Sequence, residues 1–164
     1  MIRAGRHTIV PDDIDCHVEL EFGAFCSIAS GLTIVSGQHP GVDFPACISN
    51  FPFFEHLWAD WYPPSRHDGR VDVGSDVWVG QGVTIMEGVV VGHGSILAAG
   101  SVVVRDVPPY SVFAGNPADV KKYRFAPDQI ERLCEIEWWE WPDDEIKSSL
   151  GLMTDIEAFL KGTR

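Results

Sequence analysis

A chain of 164 residues with 45% hydrophobic content has the size of one domain and the balance of a globular protein. Its formal net charge of −12 speaks against a nucleic-acid partner, which calls for a clustered basic surface. No stretch approaches the roughly 18 uninterrupted apolar residues of a membrane span, and the opening MIRAGRH lacks the apolar run of a secretory signal. A cytoplasmic location without membrane insertion is therefore expected.

In chain order, the first regular feature is a six-residue phase. Val10, Cys16, Phe22, Ile28 and Ile34 take the first position of successive hexads, and Ile14, Leu20, Cys26 and Leu32 take the fifth, until the pattern fails at Gln38. Cys16 and Cys26 stand where small apolar residues belong, which predicts reduced structural thiols. No CxxC pair suggests zinc.

His39 closes this run at the last position of its final hexad. The next 33 residues, 40–72, show no hexad phase and are punctuated by Pro40, Pro45, Pro52, Pro63 and Pro64. Connections longer than about 12 to 15 residues without regular structure are uncommon and often functional. This excursion carries seven of the chain's 18 aromatics. Phe51, Phe53, Phe54 and Trp58 are candidate walls of an acceptor pocket; the same side chains would equally pack the loop onto the coil or a neighbouring subunit.

From Val73 to Pro108 the phase returns as six blocks: VGSDVW, VGQGVT, IMEGVV, VGHGSI, LAAGSV and VVRDVP. The first residue is always aliphatic, the fifth is Val or Ser, and the second is usually small. A period of six fits neither a 3.6-residue helix nor a hairpin, so a short parallel coil repeated about an axis is predicted. Stacking like on like turns the first and fifth positions into ladders, each Val, Leu or Ile contributing about 1.5 to 3 kcal/mol by burial.

The coil domain is assigned to residues 1–125, with 40–72 as its excursion, and a helical tail to 126–164. Ile130, Leu133, Cys134 and Trp138 have helical spacing between Pro127 and Pro142. A second short helix is expected near Asp143 and a third within Asp155–Leu160. Trp138, Trp139 and Trp141 read as packing residues. The tail is acidic, whereas Arg105, Lys121, Lys122 and Arg124 face only Asp106 and Asp119 within residues 100–125. Such a patch suits a phosphorylated cofactor, although ordinary surface charge would look the same.

Among the six histidines, His17 and His93 fall on second and third hexad positions and belong to the coil wall. His7, His56 and His67 lie in stretches without hexad phase. His39 stands apart, where the coil opens into the aromatic loop.

The hexads, together with FPFF (Phe51 to Phe54), VVRDVPP (Val103 to Pro109), AGNPA (Ala114 to Ala118) and WWEW (Trp138 to Trp141), carry a family likeness. The chain resembles the hexapeptide-repeat acyltransferases, and more narrowly their xenobiotic, or antibiotic, acetyltransferase branch. The resemblance implies an all-β fold, a left-handed parallel β-helix with a long excursion loop and C-terminal α-helices. It also implies a homotrimer, with acetyl-CoA as cosubstrate lying along the outside of the coil between subunits. His39 corresponds to the catalytic base of that branch. Gln81, Ala99, Gly100, Val104 and Arg105 correspond to the wall along the pantetheine arm, with Trp78 covering the cofactor or simply packing and Lys122 near a CoA phosphate. Many relatives carry Thr-Lys where this chain has Val104-Arg105, so any phosphate contact there falls to Arg105.

The implied reaction is acetyl transfer from acetyl-CoA to a hydroxyl of a small molecule such as chloramphenicol or a streptogramin, or of a saccharide. An amine on a nucleotide sugar is the alternative acceptor, and a non-catalytic trimeric scaffold is the alternative outside enzymes. A zinc enzyme of the gamma-class carbonic anhydrase kind would need a close histidine pair on one coil, which neither His39 nor His93 has.

Overall fold

The computed structural model describes residues 1–36 and 69–163. Short strands wrap about one axis and stack into three faces. The first face holds β1 (Ile2–Ala4), β3 (Glu19–Phe22), β6 (Arg70–Val73) and β9 (Val90–Val91). The second holds β4 (Ser27–Ile28), β7 (Trp78–Val79), β10 (Ile96–Leu97), β12 (Ser111–Gly115) and β13 (Ala118–Tyr123). The third holds β2 (Asp15–Cys16), β5 (Thr33–Val35), β8 (Thr84–Met86) and β11 (Val102–Val103). All neighbours are parallel except β13, which folds back antiparallel on β12 and closes the second face.

Each hexad supplies one short strand, in most turns from its sixth residue to the next first residue, and one corner. In most uninterrupted turns, paired residues lie 18 apart: Ile2 with Leu20, Asp15 with Thr33, Trp78 with Ile96, Thr84 with Val102; the last turn is two residues shorter, pairing Ile96 with Val112. Glu19 with Arg70, Ser27 with Trp78 and Thr33 with Thr84 lie 51 apart, which is 33 more. The extra chain leaves after Ser36, beyond the third-face strand β5, and returns at Gly69, ahead of the first-face strand β6. It therefore departs from the edge where the third and first faces meet. Strand β6 rejoins the coil at Arg70, inside the 40–72 span assigned to the excursion, because Val71 is already a buried inward rung.

Every first and fifth position from Val73 to Val107 is buried. The small second position has a steric cause: a Cβ on Gly80 would lie 2.5 Å from the Ala99 nitrogen, and one on Gly92 2.5 Å from the Pro109 nitrogen. The next coil passes directly over each corner. The fourth position turns through left-handed backbone, at φ 58° for Asp76 and 60° for Phe25, conformations that side chains adopt at a cost. The serines at fifth positions are satisfied, not merely tolerated. Ser95 Oγ lies 2.7 Å from the Gly92 carbonyl and 2.9 Å from the Pro108 carbonyl, and Ser101 Oγ accepts from the Gly115 N–H.

Two expectations shift. The hexad phase, legible in the sequence from Val10, extends back to Ile2, since β1 pairs with β3, and His7 accordingly occupies a corner slot with φ 58°. As the end rung, β1 is exposed on one side, which is why its hydrophobic pattern is faint. The tail comprises α1 (Pro127–Ile136), a 3₁₀ turn (Trp138–Glu140), α2 (Asp143–Ser149) and α3 (Ile156–Gly162). The first helix does not run through Trp138: Glu137 turns left-handed at φ 46°, and Trp139 is redirected into the interior.

Leu133, Trp139 and Phe159 of the tail form a second core with Ala24 and Tyr110 of the coil. Arg6 latches this contact by donating to Asp143 and to the carbonyls of Trp139 and Trp141. His7 Nε2 lies 3.1 Å from both Asp143 oxygens. His7 and Arg6 together hold Asp143 below the usual carboxylate range.

His93 joins coil to tail. Its ring stacks on Trp139 at 4.5 Å and 7°, and its Nδ1 accepts the Ser75 N–H at 2.9 Å. Burial lowers its pKa, outweighing Glu137 and Glu140, which raise it. The unfolded chain therefore takes up a proton near 6.5, while the folded chain does so only at lower pH. Stability is expected to fall as pH drops through that window. Melting temperatures between about pH 7.5 and about pH 5 check this, with His93→Gln giving a flatter profile; an equally steep profile in the variant would assign the effect elsewhere.

Candidate functional site

The three edges of the prism differ in chemistry. On the edge between the first and second faces, the corner residues Ala24, Phe25, Asp76, His93 and Tyr110 are covered by the tail. Arg124 pairs with Asp76 at 3.2 Å, donates to the Gly94 carbonyl at 2.6 Å, and lies over the rings of Tyr110 and Phe125. Burial raises the Asp76 pKa more than Arg124 lowers it. A cleft of about 600 Å³ opens here, walled by Tyr110, Leu133, Trp138, Met153 and Phe159. It contains none of the residues expected to hold donor or acceptor.

Among the described residues, nothing covers the edge between the second and third faces. Ser30 and Gly31, Gln81 and Gly82, and Ala99 and Gly100 stack directly above one another, joined by the Gly82 N–H to the Ser30 carbonyl and the Gly100 N–H to the Gln81 carbonyl. All six are exposed. A Cβ placed on Gly82 or Gly100 would meet nothing within 4 Å among the described residues. Trp78, 54% exposed, stands on the second face just before it, in register with Ser27 and Ile96. Four of the expected cofactor residues, Trp78, Gln81, Ala99 and Gly100, are thus brought to one edge and its adjoining face.

Val104 and Arg105 are not on that ledge. They occupy the edge between the third and first faces, above Met86 and Glu87 and on the edge from which the excursion departs. Val104 is half exposed. Arg105 reaches over the end of the coil, where its guanidinium lies 6.0 Å from the Phe113 ring and 2.6 Å from Asp119 Oδ1 on β13. The Val120 N–H, at 2.7 Å, and Arg105 hold Asp119 below the usual carboxylate range. Lys122 is exposed on the same strand, opposite Val112. An ion pair at Arg105 had no counterpart in the sequence reading, which counted Asp119 only as a nearby acid. His39, Phe51, Phe53, Phe54 and Trp58 lie outside the described residues. Among the described residues, no cluster of three His, Cys, Asp or Glu could hold a metal ion, and no helix is long and apolar enough to cross a membrane.

Residues 70–105 match the family model for the bacterial transferase hexapeptide (six repeats). Over 152 residues the chain is 36% identical to a chloramphenicol acetyltransferase of Morganella morganii, covering 90% of this chain and 70% of that protein. It is 41% identical over 154 residues to a probable macrolide acetyltransferase of Lysinibacillus sphaericus, covering 87% and 84% respectively. The crystal structure of a hexapeptide-repeat-containing acetyltransferase from Vibrio cholerae, in complex with acetyl coenzyme A, superposes with a TM-score of 0.58 at 25% identity. That superposition covers 76% of this chain and 61% of the Vibrio chain.

Hexapeptide coils stacked into a prism, with a ledge of small residues along one edge, define a hexapeptide-repeat acyltransferase built on a left-handed parallel β-helix. Within that class, the chain belongs to the xenobiotic acetyltransferase branch.

Proposed function

We propose that this protein transfers the acetyl group of acetyl-CoA to a hydroxyl of an antibiotic-like small molecule, with His39 as general base. The observation that carries this reading is the 41% identity to a probable macrolide acetyltransferase, spanning 84% of that protein. The chloramphenicol acetyltransferase of Morganella morganii, 36% identical, supports the same acceptor class.

The chain's own residues divide the work. Ala99 and Gly100 on the ledge present backbone and a short side chain, so a thin pantetheine arm lies close against them, with Gln81 and Trp78 beside it. Arg105 and Lys122 meet the phosphorylated end. Because the third face separates the ledge from Val104 and Arg105, a second subunit supplies the opposite wall, and the working unit is a homotrimer. Phe51, Phe53, Phe54 and Trp58 enclose the acceptor. Neutral His39 takes the acceptor's hydroxyl proton as that oxygen attacks the thioester carbonyl. Carbon–sulfur cleavage then releases CoA, whose departing thiolate takes the proton back from His39, and the protein acts in the cytoplasm, where this donor is available.

A screen of acceptors with acetyl-CoA, read as thiol release, tests the reading. Chloramphenicol, streptogramin A, a macrolide, simple sugars and nucleotide amino sugars form the panel. Turnover confined to the antibiotics supports it; turnover only on the amino sugars overturns the hydroxyl assignment. Changing Arg105 and Lys122 together to Ala is expected to raise the KM for acetyl-CoA several-fold with little change in kcat. An unchanged KM removes both side chains from the donor site.

A further inference from the structure

We propose that Asp119 competes with the donor's phosphate for Arg105, and so sets how strongly this protein distinguishes a phosphorylated donor nucleotide from its dephosphorylated form. The inference rests on the donor site proposed above and deepens it.

Arg105 and Asp119 are both exposed, yet they stand 2.6 Å apart across the end of the coil. Two contacts make Asp119 a fixed rather than a wandering carboxylate. Its Oδ1 accepts the Val120 N–H at 2.7 Å, and its strand is held by the β12–β13 ladder, in which Ala114 pairs with Asp119. If Arg105 swings toward a ligand, the negative charge of Asp119 stays behind. A guanidinium has several N–H donors in a rigid fork, so Arg105 can keep one on the carboxylate while offering others to a phosphate. Carboxylate and phosphate then share one guanidinium, and each weakens the other's hold on it.

Lys121 moderates this field without cancelling it: it contributes to the lowered pKa of Asp119, behind Val120 and Arg105. Since exposed ion pairs are weak, phosphate binding is reduced rather than blocked. The resulting site recognises the adenosine and pantetheine parts of its donor more than the ribose phosphate. A replacement that keeps the acceptor for the Val120 N–H but removes the charge isolates the effect, and Asp119→Asn does so.

Isothermal titration at low ionic strength with CoA and with dephospho-CoA, which lacks only the ribose phosphate, provides the test. In Asp119→Asn the Kd for CoA is expected to fall about three- to tenfold, and that for dephospho-CoA to change less than about twofold. Raised salt should shrink the difference, and an Arg105→Ala background should abolish it. Equal tightening of both ligands, or none, in a variant that still binds CoA overturns the inference while leaving the donor site intact. If the wild-type protein binds neither ligand, the donor-site reading itself fails and takes the inference with it.

Discussion

Replacing His39 by alanine is expected to lower kcat about 100- to 10,000-fold while leaving the Kd for acetyl-CoA close to its wild-type value. The reason is a division of roles. The residues assigned to the donor sit on the ledge and around Arg105, whereas His39 ends the hexad that begins at Ile34. The strand Thr33–Val35 of that hexad leads to the edge that also carries Val104 and Arg105. An imidazole with an ordinary pKa of about 6.5 is mostly neutral at neutral pH and accepts a proton without further tuning. His93 is no substitute base, because its Nδ1 already accepts the Ser75 N–H and its ring is clamped against Trp139. Steady-state kinetics and a direct CoA titration on the same variant check both halves of the expectation. Turnover largely preserved would remove His39 from the mechanism, and lost CoA affinity would give it a binding role instead.

The coil was legible because burial in a stacked turn depends on position within the hexad and on little else. Val79, Val83, Ile85 and Leu97 are inward for the same reason, and each is read from its place in a block of six. What escaped the sequence was whatever depends on contacts between distant residues. Phe25 and Asp76 take left-handed corners usually given to glycine, since the tail and Arg124 pack over them. The break at Glu137 is invisible to helical periodicity, because burying Trp139 against His93 outweighs continuing the helix. The start of the coil at Ile2 was hidden by an end rung that has a neighbour on one side only. At the site, short motifs pointed to Gln81, Ala99 and Gly100, and the corner stacking places them together. No motif could show that Arg105 faces Asp119, because that contact joins the corner after β11 to β13, which folds back on β12.

The second large effect is on folding. Val83→Asp is expected to leave little folded protein, whereas Ser27→Asp is expected to change stability by less than about 1 kcal/mol. Val83 is fully buried, its carbonyl accepts the Thr33 N–H at 3.0 Å, and it occupies the fifth position of its hexad on the third face. In the turns on either side, Leu32 and Ser101 occupy the corresponding slot, and both are buried. Losing the valine forfeits about 1.5 to 3 kcal/mol of apolar burial. A carboxylate in its place also has no cation on its rung, and an unpaired buried charge costs several kcal/mol more, whether it stays ionised or takes up a proton. Against a total stability of about 5 to 15 kcal/mol, that sum reaches the scale of folding itself. The damage would not stay local, since the turns above and below dock on the one that carries residue 83. Ser27, by contrast, lies between inward Cys26 and Ile28 and points to solvent, so an added charge there stays hydrated. Soluble yield, circular dichroism and thermal melting of the two variants separate these outcomes. A folded, cooperatively melting Val83→Asp protein would mean that the hydrocarbon ladder does not hold the coil together.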